Sequence, residues 1–401
     1  MSRSATKRAA IIYFVALAYA LGPFTVDPFS PAFPKIAETF GVSNALLQYS
    51  LTGVTLGMGL GQLIAGPFSD SIGRKRPMVV AIACYAIGAF ASSFAPDIWW
   101  FIFARTLMAV GASGAAVLGA AILRDAASGD AMLKLLARVF WIQGFAPVLA
   151  PIIGSQLIQV ADWRLLFQIF GALAAGGLIW ALFGLSETLA LADRRGSVFS
   201  GMGARFRHVL QDRSYRGLVL ISLVSTVQLY AYLNLFPFLF LDVVKVDQNS
   251  YGLLAASVSL SWLIAFQISA AIAPRWGYLK MLVASMSLGV LAGIGGVTIG
   301  VNQVSAPVYM ALIYLAVIGF GASVGPLQTL SLAPHGEEAG TAAALMGTIN
   351  FLVTALLSPI FTLLPSGSFF GLGLVYLCCF GVGLAAALLV VKPALAGSAL
   401  R

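Results

Sequence analysis

Two charges sit where a chain rarely puts them. Asp27 lies near the end of an apolar run at 9–28, within "LGPFTVDPFSPAFPK", and Arg105 lies inside another at 98–121. A charge at the centre of a bilayer costs about 2.5–3.5 kcal/mol on insertion scales, so it is expected to face a cavity or a partner. Low-dielectric surroundings favour the protonated carboxyl, and a nearby cation favours the ionised one. Asp27 and Arg105 thus suit a proton switch, in which Asp27 is protonated from one side and released as Arg105 or a substrate draws near. The plainer alternative puts Asp27 at the membrane edge, solvated. A helix begun near residue 9 carries residue 27 about 27 Å along, at 1.5 Å per residue. Pro23 and Pro28 flank Asp27 and break the helix there.

Other polar or aromatic residues inside apolar runs are candidates for a substrate wall: Tyr19, Phe24, Gln143, Tyr230, Asn234 and Phe236 beside Asp27, with Gln48, Gln228 and Asn350 as further cavity candidates. Each has packing as its other reading, since amides also hold helices together. A second kind of site is mechanical. In "GPFSDSIGRKRPMV" (66–79), Gly66 and Gly73 allow a tight turn. Asp70 sits near a helix end. Arg74 and Arg76 are placed to pair with Asp70 or with carbonyls of the next helix, a latch made in one conformation and broken in another. Pro147, Pro151 and Gly154 give a bent helix with a small-residue face suited to sliding.

These groups need apolar elements to carry them. The chain has 401 residues, 60% hydrophobic and 9% charged, where a soluble domain carries about 25% charged residues. Cutting at charged or turn clusters leaves twelve apolar runs, each long enough for the roughly 20 helical residues that cross a bilayer. They lie near 9–28, 45–66, 77–95, 98–121, 134–160, 164–186, 216–241, 250–273, 279–300, 306–332, 339–364 and 369–391. The spacing predicts an all-α membrane protein of twelve transmembrane helices. With both termini cytoplasmic, most of the 23 lysines and arginines fall inside, and only Lys35, Arg164 and Lys245 outside. That topology accounts for the net charge of +9 without a nucleic acid. Basic residues before the first run and Ala18-Tyr19-Ala20 mimic a cleavable signal. The helix is expected to be retained, since cleavage would leave eleven spans and remove Asp27.

The longest polar stretch, 187–215, divides the runs six and six. The expected domains are a bundle over 1–186, a cytoplasmic linker over 187–215 and a second bundle over 216–401. The linker reads as a basic tether. Its second half has a competing reading as a surface helix with Phe199, Phe206 and Val209 towards lipid. The bundles resemble each other faintly. The stretch 66–79 aligns without gaps with "AAIAPRWGYLKMLV" (270–283), Gly73 on Gly277, and "VGASGAAV" (110–117) parallels "IGFGASVG" (318–325). Two six-helix repeats fit a transporter with its site where the repeats meet.

With these motifs in hand, the chain resembles the major facilitator superfamily. The stretch 66–78 looks like that family's loop 2–3 signature, with Ser71 in place of a basic residue. "RTLMAVGASGAA" (105–116) resembles its helix 4 signature. "APVLAPIIGS" (146–155) resembles the helix 5 signature of antiporters, with Ala150-Pro151 for Gly-Pro and Gly154-Ser155 for Gly-Gly. "TVDPFSPAFPKI" (25–36), "DWRLLF" (162–167) and "ETL" (187–189) look like the twelve-helix drug:proton antiporters of the Bcr/CflA drug-resistance branch. The resemblance implies the two pseudo-symmetric bundles of the major facilitator fold, Asp27 in the cavity, and residence in the cell inner membrane.

The absences narrow the function. No lysine follows a glycine, so there is no phosphate-binding loop. No zinc spacing and no Ser/His/Asp set appears. The expectation is no enzyme, no cofactor and no metal. It is a monomeric proton-coupled antiporter exporting small lipophilic drugs, with protons, a drug and membrane lipid as its partners. Phenicol-type antibiotics are the substrate guess carried by the branch resemblance. The alternatives are a proton-coupled symporter for a nutrient or sugar, which would need more intramembrane acids and amides, and a receptor or scaffold that transports nothing.

Overall fold

The computed structural model describes residues 3–126, 129–191, 194, 202–300, 305–364 and 369–398, excluding the side chains of 3–12, 126, 129–143, 202, 336–338, 362 and 396–398. Helices occupy all twelve apolar runs. The first six are α1 (Arg3–Phe24), α3 (Asn44–Ile72), α4 (Lys75–Ser93), α5 (Ile98–Ala126), α6 (Gly129–Val160) and α7 (Arg164–Phe183), with a short α2 (Phe33–Phe40) after α1. After α8 (Met202–Gln211) come α9 (Arg213–Phe238), α10 (Gln248–Trp276), α11 (Tyr278–Ile299), α12 (Ala306–Leu332), α13 (Ala339–Leu357), α14 (Phe370–Ala386) and the short α15 (Lys392–Ser398). Among the described residues, ten helices are long and apolar enough to cross a membrane, and Gly144–Val160 of α6 is a shorter apolar helix. Their outward faces carry large exposed apolar side chains such as Phe103, Phe183, Leu253 and Leu389, as lipid-facing surfaces do.

The chain falls into two compact units, Met1–Ser200 and Gly201–Arg401. Within the first, α5 packs on α3, α4, α1 and α6, and α4 packs on α7. Within the second, α12 packs on α10, α11, α9 and α13, and α11 on α14. The pairing pattern is the same, helix for helix. Two of the aligned glycine positions carry it in detail. Gly73 and Gly277 both have left-handed backbones, at φ +98° and +103°, where each closes the second long helix of its unit. A Cβ on Gly111 would strike α4 at Ala81 and Tyr85, and one on Gly319 would strike α11 at Ser285.

Three of the acids mark helix starts. Asp97 accepts from the Trp99 and Trp100 amides at 2.9 Å each, Asp212 from Ser214 at 2.8 Å, and Asp247 from Asn249 and Ser250 at 3.0 Å each. These are ordinary N-caps. Hydrogen bonds from Ser250 hold the Asp247 carboxyl below its usual range. Helix α8 does form, and its apolar face turns to protein rather than lipid. Val209 is buried against Tyr215, Ala342 and Leu345, with Phe206 packed beside it. Phe199 lies outside the described residues.

Two expectations about the 66–79 stretch are corrected. Gly66 is no turn residue. It lies inside α3, and a Cβ there would meet only Val117 at 3.9 Å. Asp70 lies in the last turn of α3, the negative end of that helix dipole, so its stabilisation comes from Arg74 at 2.6 Å. Gly53, Gly57 and Gly61, spaced by four on α3, form a packing seam against α5 by contrast, where an added Cβ on Gly57 would meet the Thr106 carbonyl and Ala109. Gly57→Ala should therefore destabilise the protein by about 1–3 kcal/mol through overpacking. Gly66→Ala should be neutral or stabilise by about 0.5–1 kcal/mol, since alanine costs less backbone entropy in a helix. Thermal unfolding in detergent checks both, and similar shifts for the two would contradict the assignment.

Candidate functional site

The site in the first unit begins with a broken helix. α1 stops at Phe24, and a 3-10 helix runs from Asp27 to Ala32. In a continuing α-helix the Phe29 amide would bond the Thr25 carbonyl. Here it donates to Val26 instead, at 3.3 Å, and Pro28 has no amide hydrogen to give. The Thr25 carbonyl is thus left for another donor. Arg105 of α5, fully buried, supplies it: Nη1 donates to Thr25 O at 2.8 Å. Its guanidinium lies 5.1, 5.6 and 5.9 Å from the ring centres of Phe29, Phe167 and Phe101. Phe29 and Phe167 stack at 4.0 Å. Aromatic faces attract a cation that has lost its water.

Asp27 opens the 3-10 helix two residues beyond the Arg105 contact and is half-buried. Ser30 Oγ donates to its backbone carbonyl at 3.1 Å. α6 closes the other side. A Cβ on Gly154 would strike the Pro28 carbonyl, so the small residue lets α6 pass directly against the kink. The prolines 147 and 151 lie inside α6, which stays helical through both. Asp27, Arg105 and Gly154, 127 residues apart in sequence at the extremes, therefore meet at one break in α1.

The expected substrate residues are dispersed. Phe24 stacks on Phe170 at 5.0 Å, next to the kink. Tyr19 lies against Gly119 of α5, five residues or about 7.5 Å back along α1 from Phe24 at 1.5 Å per residue. The side chain of Gln143 lies outside the described residues. Tyr230, Asn234 and Phe236 belong to the second unit and are buried there. Asn234 donates to the Tyr230 carbonyl of its own helix at 2.8 Å, and Tyr230 meets Phe351 edge-on at 6.0 Å. Phe236 packs among Tyr232, Phe240 and Tyr251 at 4.9, 4.5 and 5.4 Å, in the core of the unit. Asn350, a further cavity candidate, joins α9 to α13 instead: its Nδ2 donates to Ser222 Oγ at 2.7 Å.

The latch residues gather at the α3–α4 turn. Arg74 pairs with Asp70 at 2.6 Å and with Asp125 at 3.0 Å, and donates to Ser69 Oγ at 2.8 Å. Burial alone would lower the Arg74 pKa, but the two aspartates outweigh it and hold it above its usual value. Arg76 is exposed and outside this cluster. Two further members were not singled out from the sequence. Asp125 ends the α5 run, and Glu187 opens the "ETL" that follows α7. Glu187 accepts from the Arg74 and Lys75 amides at 2.7 and 3.3 Å, capping α4 from outside. Arg194 approaches it at 3.6 Å, and Thr188 Oγ1 donates to Asp125 at 3.0 Å. A Cβ on Gly73 would collide with the Glu187 carboxylate. Gly73 is therefore required twice, by its φ and by its neighbour.

Similarity to known proteins identifies the family. The Major Facilitator Superfamily profile matches residues 14–359. The chain belongs to that superfamily. It is 27% identical to an uncharacterized major facilitator transporter, YdgK, of Bacillus subtilis over 365 residues, 88% of this chain and 89% of the relative. It is 24% identical to a bicyclomycin resistance protein homolog of Haemophilus influenzae, covering 84% and 85%. It is 26% identical to the multidrug resistance protein MdtL of Escherichia coli, covering 82% of each. Among solved structures it superposes on a D-xylose-proton symporter with a TM-score of 0.76 at 18% identity, over 94% of this chain and 96% of that one. The protein is thus a multi-pass membrane transporter rather than an enzyme.

Burial tends to raise the Glu187 pKa, but four backbone amides, Arg74, Leu189, Lys75 and Thr188, outweigh it and hold it below the usual glutamate value. Its stabilising contribution is present above that usual value and lost as pH falls through the lowered one. Glu187→Gln should therefore speed hydrogen exchange at the Arg74 and Lys75 amides at neutral pH. The gap between wild type and variant should close in acid, below about pH 4. An unchanged exchange rate at neutral pH would remove Glu187 from the latch.

Proposed function

We propose that this protein is a proton-coupled antiporter that exports small lipophilic drugs across the inner membrane by alternating access. The observation that carries the reading is the Arg105 clamp on the broken α1, which fixes the half-buried Asp27 beside Gly154. In this reading Asp27 is the proton carrier. It is protonated on one side of the membrane and ionised when substrate or the Arg105 cation draws near. Arg105 acts on it by holding the kink through the Thr25 carbonyl. One inward proton under roughly 100 mV supplies about 2.3 kcal/mol, a gradient of somewhat under a hundredfold before any pH difference.

The substrate class rests on the relatives and on charge. Bicyclomycin resistance and multidrug resistance are the printed roles of two of them. With a single acid at the kink, neutral or singly charged drugs fit better than multiply charged cations, and phenicol antibiotics are the class to try first. Phe24, Tyr19 and Gln143 on the first unit, and Tyr230 with Asn234 on the second, are the proposed substrate contacts. The Arg74, Asp70, Gly73 and Asp125 cluster with Glu187 serves as the latch between conformations. The termini and the linker 187–215, between bundles 1–186 and 216–401, are proposed to lie in the cytoplasm, and the working unit to be a monomer.

Proteoliposomes loaded with a phenicol, bicyclomycin or xylose test this under an imposed pH gradient. Wild type should move a drug against the proton flow and leave xylose unmoved. Asp27→Asn should abolish gradient-driven transport while still binding drug. Xylose moving with protons would instead establish a symporter, and undiminished coupling in Asp27→Asn would place the proton site elsewhere. Arg105→Gln should lower transport at least tenfold, since one lost charge-assisted bond of about 1.5–3 kcal/mol has that effect on the clamped state. Full activity would show that the kink holds without the clamp.

A further inference from the structure

The second unit has a cluster that the transport reading does not use. Its loop 270–283 matches the latch loop of the first unit, yet it contains no acid to pair with Arg275 or Lys280. A histidine and an aspartate face each other instead at the start of α9. His335 sits on the 3-10 helix Ala333–Glu338 that joins α12 to α13. Its side chain is 9% exposed. Nδ1 is 2.9 Å from the Ser331 carbonyl oxygen, and Nε2 is 3.8 Å from Asp212 Oδ2. The ring rests edge-on against Tyr215 at 5.0 Å, and Tyr215 in turn donates to the Ala342 carbonyl at 2.6 Å.

Each ring nitrogen therefore faces an oxygen that only accepts. A neutral imidazole carries one hydrogen and serves one of them; the cation carries two, one bonded to Ser331 and one turned towards the Asp212 carboxylate as an ion-pair contact at 3.8 Å. With Nδ1–H given to Ser331, the neutral ring would turn the Nε2 lone pair towards a carboxylate. We propose that His335 and Asp212 form a proton-operated clasp, which ties the α12–α13 connection to the start of α9 when His335 is protonated and frees it when the proton leaves.

The neighbours fit this role. Asp212 is already fixed as the N-cap of α9: Oδ1 accepts from the Ser214 amide and Oδ2 from Ser214 Oγ at 3.2 Å, so the oxygen that faces His335 is held without further ordering. The other charges nearby are mostly basic: Arg205, Arg207 and His208 on α8, and Arg213 and Arg216 in the first turn of α9. Glu337 and Glu338 share the 3-10 helix of His335. α12 and α13 bring no charged side chain. α8 packs on both α13 and the 3-10 helix, so opening the clasp loosens α8 as well. On the orientation proposed above, the pH sensed is that of the cytosol.

Hydrogen exchange on the detergent-solubilised full chain tests the clasp with the same pH on both sides, so the result does not depend on orientation or on transport. Protection of the α8 amides 205–211, corrected for intrinsic exchange, is compared below and above the range of about pH 5–8 in which imidazoles titrate. Wild type should be roughly two- to fivefold better protected at the lower pH, the size expected of a part-exposed pair. Asp212→Asn keeps the cap, because asparagine caps as well as aspartate, and should erase the pH difference. His335→Phe keeps a ring against Tyr215 and should do the same. His208→Gln should retain it. Equal wild-type protection at both pH values overturns the clasp. So does a pH difference that survives in Asp212→Asn, or one that only His208→Gln removes.

Discussion

A guanidinium buried without water needs an acceptor, and a broken helix needs a donor. In this protein the two needs meet, at the 2.8 Å bond from Arg105 to the Thr25 carbonyl. Placing Arg105 inside the membrane costs about 2.5–3.5 kcal/mol. Ending α1 at Phe24 leaves a carbonyl that would cost as much again if nothing bonded it. Together the defects offset each other, and three phenyl faces complete the surroundings of the cation. The position of Asp27 follows from this bond, because the residue lies two positions beyond it on a backbone that cannot shift independently. The contact between Gly154 and Pro28 fixes the same segment from the other side.

The end of the first unit that carries the α3–α4 turn obeys a related rule. Arg74 is largely buried and has two aspartates to neutralise it. Glu187 satisfies the amides that begin α4, the atoms that every helix start leaves without partners. Gly73 has to be glycine because its φ and the nearby carboxylate both exclude a side chain. This arrangement joins α3, α4, the end of α5 and the segment after α7 through charges and caps alone. Such contacts can be exchanged for water at modest cost, unlike the glycine seam of α3 on α5, which is held by close packing.

The two units share a pattern of helix contacts but differ in their polar content. The first holds the buried cation and the carboxylate at its kink. The second is held at α9 and α13 by an amide and a hydroxyl, Asn350 and Ser222, and two of its acids, Asp212 and Asp247, cap helices.

Hydrophobic length and basic punctuation already determined the twelve helices, because an apolar run of about 20 residues has few alternatives to a helix in lipid. The repeat was legible at Gly73 and Gly277, where a left-handed turn leaves glycine as the residue of choice. Asp27 and Arg105 stood out by their cost alone, and the prolines beside Asp27 marked the break. Tertiary structure decided which partners these residues have. That Arg105 takes a carbonyl follows from the hydrogen-bond slip at Phe29, which no spacing reveals. Glu187 and Asp125 joined Arg74 because folding brings the ends of α5 and α7 to the α3–α4 turn. Gly66 and Phe236 show the reverse: the same residue types can face a site or fill a helix interior, and only the neighbours across the fold separate the two.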